Sequence, residues 1–466
     1  MNIKKNLLYD ETSPISIESY AKKLIGKTFE DVIGEAKKSK IKNKGRLGQL
    51  LEKYYFLYEL NSDKNPDFKE AGVELKVTGY VINKSNKKRA KERLVLNIIN
   101  FNEIYLETFD TSSFLQKNSL LLLVFYHYKK GVQRLDFTID YVQLFQFPEK
   151  DLKIIRDDWN TIVNKIRNGK AHELSEGDTN YLGACTKGAS SKSVREQPFN
   201  NIMAKQRAFS LKQGYLTQIL NDYIIKGKKT YDDSVIKDIR VLDNITFEQF
   251  VIDKINYHRG KSIANLANEF DVNTNPTSKS YVADITKSIL GVEGKYIEEF
   301  EKANIKIKTI RINQKGTIKE HMSFPTFKFT EIINEDWESS TLREMFLNTR
   351  FLFVIYRFDK FNDLRLEKCM FWNVPHNDLE YEIKEVWKKT ISIIKEGIRT
   401  KKVGKRTTNN LPSASSSSIL HVRPHARNKK DTYPLPNGGE YTKQCFWLNN
   451  SYILRQILND ESEEIN

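Results

Sequence analysis

The strongest constraint in this sequence is that it repeats itself at long range. Four segments of the first half resemble four segments of the second half, in the same order and about 230 residues apart. The paired segments are 67–76 with 299–308, 119–126 with 349–356, 158–169 with 386–397, and 208–220 with 445–458. One such pair would carry little weight, but four pairs in register predict two tandem copies of one fold.

The length of the chain agrees with two copies. Its 466 residues exceed the roughly 250–300 residues at which single hydrophobic cores stop growing. The copies are expected to meet at 227–244, because this segment is polar and charged, as a linker should be. The sequence therefore predicts a first domain at 1–226, a linker at 227–244 and a second domain at 245–466.

Composition narrows the possible functions. A hydrophobic content of 39 % excludes a wholly disordered chain, and a net charge of +16 predicts a polyanionic partner, either nucleic acid or an anionic membrane surface. The longest apolar run, Leu120–Tyr126, is far shorter than the roughly 20 residues that cross a bilayer. Met1–Asp10 shows no apolar signal-peptide core. Three widely separated cysteines favour a reducing compartment, so we expect a nucleic-acid partner in the cytoplasm.

Each copy is predicted to mix helices and strands. Apolar residues at helical spacing predict helices over 48–58, 159–166 and 215–223. Alternation predicts a strand over 73–77, and apolar runs predict central strands over 94–99 and 120–126. The fold class is therefore α/β, with a mixed sheet flanked by helices. In the second copy, 400–406 and the serine run 413–418 predict a long flexible loop.

The residues that suggest chemistry lie in the first copy. Asp67 is followed by Glu74 and Lys76, and on a strand Glu74 and Lys76 project from the same face. Two carboxylates form an oxygen-rich site suited to Mg²⁺, and a neighbouring lysine can orient a water or hold a phosphate. Glu52, on the helix 48–58, could add a third carboxylate. Because 29 % of the residues are charged, the same spacing also fits an ordinary solvated strand face.

The motifs together resemble a known family. The stretch 44–52, the dipeptide Pro66-Asp67 and the stretch 72–76 are similar to the MutH mismatch-repair endonuclease and its restriction-enzyme relatives. The duplicated length resembles the Sau-three-A type of GATC-cutting type II restriction endonuclease more closely. Further similar stretches are 91–102, 170–177, 185–189 and 204–211. The resemblance implies two tandem copies of a MutH-like fold that form a pseudo-dimer, with a PD-(D/E)xK nuclease core in the first copy.

Site residues follow from the resemblance by position. It implies that Glu52, Asp67 and Glu74 hold Mg²⁺, that Lys76 is the catalytic lysine, and that Lys117 is a further catalytic lysine before the next core strand. The base-reading loop of the family would fall at 181–189, with Lys187 as a DNA contact, although the Arg-Pro-Lys stretch of the family is Cys185-Thr186-Lys187 here. Two more basic residues are expected to contact the DNA backbone; these are Arg207 and Lys212.

The second copy departs from this pattern at the metal site. Lys306 is the residue of the second copy that aligns with Glu74. A positive charge at this position would repel a metal ion instead of binding it. The remaining counterparts are Lys287 for Glu52, Glu299 for Asp67, Lys308 for Lys76 and Leu347 for Lys117. The second copy is therefore predicted to be inactive, yet its stretch 421–430 resembles the base-reading loop of the family more closely than the first copy does. The predicted DNA contacts in this stretch are Arg423, His425, Arg427 and Lys429.

We therefore predict a bacterial, Mg²⁺-dependent type II restriction endonuclease of double-stranded DNA. The resemblance implies that it cuts at GATC, 5′ of the guanine. One catalytic centre per chain implies that two chains meet on the DNA, and the second copy would bind a further site as an allosteric effector. Three alternatives stay open. They are a MutH-like mismatch-repair nicking enzyme, a DNA-binding protein that does not cleave, and a basic structural protein.

Overall fold

The computed structural model describes residues 7–34, 47–58, 64–83, 86–188, 193–225, 231–278, 280–404 and 406–463. Residues 44–46 of the family-like stretch and Ala189 of the predicted base-reading loop lie outside these ranges. The chain divides into two compact units. The first unit comprises Met1–Phe250 and Val292–Ile305, and the second comprises Val251–Gly291 and Lys306–Asn466.

Helices and strands alternate in the first half. The helices are α1 (Pro14–Ala21), α2 (Phe29–Ile33), α3 (Leu47–Tyr54), α4 (Phe101–Ile104), α5 (Ser113–Asn118), α6 (Glu149–Arg167) and α7 (Gln213–Gln218), which continues as a π-helical turn, Ile219–Ile224. The strands are β1 (Val73–Ile82), β2 (Lys88–Ala90), β3 (Leu94–Ile98), β4 (Leu120–His127), β5 (Ile139–Gln146), β6 (Leu182–Thr186), β7 (Val194–Gln197), β8 (Asn200–Lys205) and β9 (Arg207–Leu211).

The first unit is built on two main sheets, beside a two-stranded sheet of β7 and β8. One has the strand order β2-β1-β4-β5, with β1 parallel to β4, and the other has the order β3-β9-β6. The apolar strand β4 is central, as predicted, and its Leu122 and Val124 are fully buried against α1, α2 and α3. The prediction that 94–99 forms a central strand is wrong, because β3 lies at the edge of the second sheet. Its alternating burial is that of a strand with one solvated face.

The second half has a similar, though not identical, order of elements. Its helices are α8 (Phe247–Asn256), α9 (Ile263–Glu269), α10 (Tyr281–Leu290), α11 (Glu298–Ala303), α12 (Phe329–Ile332), α13 (Thr341–Asn348), α14 (His376–Asp378), α15 (Lys384–Glu396) and α16 (Asn450–Glu463). Its strands are β10 (Ile305–Ile312), β11 (Met322–Phe327), β12 (Arg350–Phe358), β13 (Leu364–Trp372), β14 (Thr400–Val403), β15 (Arg406–Asn409), β16 (Leu420–Pro424), β17 (Thr432–Pro434), β18 (Glu440–Thr442) and β19 (Gln444–Leu448).

The two sheets of the second half repeat those of the first. The order β10-β12-β13 matches β1-β4-β5, and β11-β19-β16 matches β3-β9-β6. The residues just before β1 and β10, Gly72 and Asn304, both adopt positive φ, of 67° and 51°. All four segment pairs found in the sequence fall on corresponding elements. The prediction of two tandem copies of one α/β fold is confirmed.

Two segments are more ordered than the sequence indicates. Thr400–Arg406 was predicted to be flexible, but β14 and β15 pair there as an antiparallel hairpin. In the serine run, the Ser417 hydroxyl and the Ser418 backbone N–H both donate to the Glu382 carboxylate, at 2.6 Å each. The prediction of one long flexible loop is therefore wrong, because these polar groups find partners that are distant in sequence.

The predicted linker also has a packing role. Within the described part of 227–244, Val235 is fully buried, and the backbone of Asp233 bridges to Ile297. The stretch Val292–Ile305 accordingly groups with the first unit, and the division at 227–244 stays a prediction. Among the described residues, no helix is both long and apolar enough to cross a bilayer.

Candidate active site and DNA-reading loops

The turn before β1 brings Asp67 and Glu74 together. Gly72, at positive φ, reverses the chain, and Phe68 and Val73 then pair through their backbones. As a result, the Asp67 backbone N–H donates to Glu74 Oε2 at 3.0 Å, and the Leu75 N–H donates to Asp67 Oδ2 at 2.9 Å. Backbone hydrogen bonds thus fix the orientation of both carboxylates at the start of the strand.

Two lysines approach the same oxygen of Glu74. Lys76 Nζ lies 2.8 Å from Glu74 Oε1, and Lys117 Nζ lies 3.8 Å from that atom. Lys117 reaches it because α5 leads directly into β4, which runs parallel to β1 with Leu121 opposite Glu74. The Glu74 side chain is only 4 % exposed, and those of Lys76 and Lys117 are 14 % and 13 % exposed. Little water screens these charges, so their interaction is stronger than that of a surface ion pair.

Glu52, on α3, belongs to the same cluster. Burial raises the pKa of the Glu52 carboxyl, and the negative charge of Glu74 raises it further. Burial likewise raises the pKa of Asp67 to about 7, with additional contributions from Glu74 and Glu52. The three carboxylates therefore repel one another in a partly desolvated place, which is the electrostatic condition that a bound cation relieves.

The donor set fits a hard divalent cation. Three carboxylates in one cluster supply the oxygen ligands that Mg²⁺ prefers. In the described part of the chain, no three histidine, cysteine or acidic side chains are already gathered at metal-binding distances. Lys76 instead occupies one Glu74 oxygen and the Asp67 N–H the other. The residues that would hold Mg²⁺ are Asp67, Glu74 and Glu52.

A residue that the sequence did not indicate lies next to this cluster. Tyr58 follows α3, and its backbone N–H donates to the carbonyl oxygen of Glu52 at 3.1 Å. Its hydroxyl is buried and has no hydrogen-bond partner among the described residues. An aromatic residue at the end of an amphipathic helix ordinarily indicates core packing, so nothing in the spacing pointed to a role at the site.

The counterparts in the second half form different contacts. Glu299, opposite Asp67, is fully buried in the first unit and accepts hydrogen bonds from the backbone N–H groups of Val235 and Ile236, at 2.9 and 3.2 Å. Lys306, opposite Glu74, is exposed. Burial lowers the pKa of Lys308, and the charge of Lys306 lowers it further. Lysines that repel each other in this way do not make a cation site.

The remaining counterparts also lack metal-binding chemistry. Lys287, opposite Glu52, lies 3.4 Å from Asp284, and Leu347, opposite Lys117, is buried.

Strand register supports the predicted alignment of the base-reading loops. In the first half Leu182 pairs with Leu211, and in the second half Leu420 pairs with Leu448. Counting three residues onward from Leu182 and Leu420 places Cys185 opposite Arg423. The predicted contacts of the second half, Arg423, His425, Arg427 and Lys429, are all exposed, and Lys187 is half-buried.

Trp447 supports the second of these loops. The Arg423 guanidinium lies 5.0 Å from the centre of the Trp447 ring, and the indole N–H donates to the Arg423 carbonyl oxygen at 3.3 Å. The His425 ring packs on the same indole at 5.4 Å. Both basic residues are thereby oriented before any ligand arrives.

Arg207 and Lys212 do not lie at a DNA-accessible surface. They are 3 % and 5 % exposed. The Arg207 guanidinium donates to the carbonyl oxygens of Ala184 and Leu174, and the Lys212 ammonium donates to that of Thr179. Burial of both head groups contradicts the prediction that these side chains contact DNA phosphates. They instead satisfy backbone carbonyl groups inside the fold.

Comparisons with known proteins identify the family. The family model of the DNA mismatch repair enzyme MutH matches residues 56–158 and 292–385, one segment in each half. The chain is 38 % identical to the type II restriction enzyme Sau3AI of Staphylococcus aureus over 484 aligned positions, which cover 95 % of this chain and 98 % of that enzyme. Asp67, Glu74, Lys76 and Lys117 lie within the first matched segment, whereas Glu52 precedes it.

Proposed function

The chain belongs to the MutH-like type II restriction enzymes, and on that premise we propose that it is a Mg²⁺-dependent endonuclease which cuts double-stranded DNA at GATC. Its place of action would be the bacterial cytoplasm. The cut would fall 5′ of the guanine and leave a 5′-phosphate. Recognition of GATC and the cut position rest on the resemblance to the Sau-three-A type of enzyme.

The observation that carries the proposal is the convergence of Lys76 and Lys117 on Glu74, beside Asp67. Asp67, Glu74 and Glu52 would hold Mg²⁺, which when bound neutralises phosphate charge and makes water more acidic. Lys76 would orient the attacking water or offset the negative charge that develops on the phosphate. Lys117, 3.8 Å from Glu74 Oε1, would help to orient the buried Glu74 carboxylate.

The second half is proposed to bind DNA without cleaving it. Exposed Arg423 on the Trp447 platform suits bidentate contact with guanine, whereas Lys306 and Lys308 do not suit a metal ion. Because one chain would carry one catalytic centre, two chains would meet on the DNA to cut both strands. Binding of a further GATC sequence to the second half would promote the pairing of two chains. The second half would then act as an allosteric effector site.

Digestion of three plasmids with no, one or two GATC sites tests this function. With Mg²⁺ we expect cleavage only where GATC is present, faster on the plasmid with two sites, and ends that map 5′ of the guanine. Nicks confined to hemimethylated sites would favour a mismatch-repair role instead. Retarded but intact DNA would favour a binding protein that does not cleave.

A further inference from the structure

The Tyr58 hydroxyl is the one unexplained polar group beside the acidic cluster in the part of the chain that the structure describes. Its oxygen is buried and has no hydrogen-bond partner there. The residue is held from two sides. Its backbone N–H bonds to the carbonyl of Glu52, and its ring packs edge-on against Phe68, which follows Asp67, with ring centres 5.3 Å apart.

These two contacts place Tyr58 next to Glu52 and to the neighbour of Asp67. Burial raises the pKa of Tyr58, and the charges of Asp67, Glu52 and Glu74 raise it further, in that order. The hydroxyl is therefore a buried O–H donor next to the acidic cluster, and it bonds to none of the described residues. Burying a hydroxyl without a partner is destabilising. The arrangement therefore indicates that the Tyr58 hydroxyl gains a hydrogen-bond partner in another state of the site.

We propose that Tyr58 is a positioning residue of the metal site, whose hydroxyl donates a hydrogen bond to a carboxylate or water oxygen that coordinates the divalent cation. This inference rests on the proposed function, because it requires that Asp67, Glu74 and Glu52 hold Mg²⁺. Partners in the outer shell of a metal site orient its ligands, and their loss ordinarily weakens metal affinity by about 10- to 100-fold.

The matched control is Tyr55, three residues earlier. Its hydroxyl donates to the Tyr20 carbonyl oxygen at 2.7 Å, so the hydroxyl already has a partner in the fold. Tyr55→Phe removes a bond that is present without metal, whereas Tyr58→Phe removes an unpaired hydroxyl. Tyr55→Phe should therefore lower the stability and leave the metal affinity unchanged. Tyr58→Phe should keep the stability and weaken the metal affinity.

The experiment measures the Tm in EDTA and the Kd for Mg²⁺ by calorimetry, on the full-length wild type, Tyr58→Phe and Tyr55→Phe. We expect Tyr58→Phe to keep or raise the Tm and to weaken Mg²⁺ binding by about 10- to 100-fold. Its cleavage should then require correspondingly more Mg²⁺. Tyr55→Phe should lower the Tm and keep the wild-type Kd.

Two results would overturn the inference. One is wild-type Mg²⁺ affinity in Tyr58→Phe, and the other is a fall in Tm as large as that of Tyr55→Phe, because the hydroxyl would then have a partner in the metal-free fold. If the wild type bound no Mg²⁺ and cleaved no DNA, the proposed function itself would fall and this inference with it. A wild type that binds and cleaves, beside an unchanged Tyr58→Phe, would overturn only the role of Tyr58.

Discussion

Lys76 Nζ lies 2.8 Å from Glu74 Oε1, on one face of the same strand and two residues away. In the second half the corresponding pair is Lys308 and Lys306, which repel each other. Equivalent strand positions thus carry a carboxylate and a lysine in the first copy, but two lysines in the second copy. This difference is the basis for assigning catalysis to the first half.

Replacing Lys76 by methionine should reduce cleavage at a GATC site about 100- to 1000-fold, because the cation beside the reacting phosphate is lost. Lys308→Met is the matched control, since it removes a half-buried lysine at the equivalent strand position. Single-turnover digestion of a one-site plasmid measures both variants. Equal rates for the two would argue against the assigned role of Lys76.

The pair formed by Lys302 and Asp151 should matter for stability and not for chemistry. Both side chains are 1 % exposed, and Lys302 Nζ lies 2.7 Å from Asp151 Oδ1. Lys302→Met should destabilise the first unit by about 3–5 kcal/mol, because it leaves a buried carboxylate without its cation. Adding Asp151→Leu should restore part of that loss in denaturant unfolding. A double variant less stable than Lys302→Met would contradict this account.

Acid should destabilise the second unit through His421. This side chain is 2 % exposed, and burial, followed by the charges of His321 and Arg423, lowers its pKa to about 4 despite a hydrogen bond to Asn449. The unfolded histidine takes up its proton near pH 6.5, whereas the folded one does not until about pH 4. Stability should therefore fall by about 3 kcal/mol as the pH falls through this window and should stay flat above it.

Thermal unfolding of wild type and His421→Gln between pH 4 and pH 8 measures this effect. The variant should lose most of the slope between pH 6.5 and pH 4. Parallel curves for the two proteins would show that other groups cause the acid sensitivity.

The effector role of the second half is tested at Arg423. Replacing it by alanine should bring the ratio of two-site to one-site cleavage rates close to one, because the arginine held on Trp447 is the proposed guanine contact. Lys187→Ala, in the loop of the first half, should instead slow cleavage of both plasmids. An Arg423→Ala enzyme that keeps the full preference for two sites would exclude this residue from effector binding.

Much of the fold could be predicted because duplication leaves a pattern that local divergence does not remove. The segment pairs specified which strands correspond, and the registers of Leu182 with Leu211 and Leu420 with Leu448 agree with them. The cluster of Asp67, Glu74 and Lys76 could be predicted because the alternation of a strand places two of its members on one face.

Other features depended on contacts that are distant in the chain. Sequence shows that Arg207 and Lys212 are basic, but not that their head groups bond to buried carbonyl oxygens. It likewise shows that Tyr58 is aromatic, but not that its hydroxyl lacks a partner among the described residues.

The packing of 292–305 in the first unit also has a practical consequence. Truncation near residue 240 would remove Glu299 and Lys302 from that unit. Substitutions in the full-length chain are therefore a sharper test of the role of the second half.

The most direct measurement compares Glu74→Gln with Lys306→Gln, its counterpart in the second half, on a plasmid with two GATC sites and Mg²⁺. We expect Glu74→Gln to lose cleavage by about 1000-fold or more, since it removes a metal ligand and the partner of two lysines. Lys306→Gln should cut at close to the wild-type rate, with ends that map 5′ of the guanine. Wild-type cleavage by Glu74→Gln, or loss of cleavage in Lys306→Gln alone, would contradict catalysis in the first half.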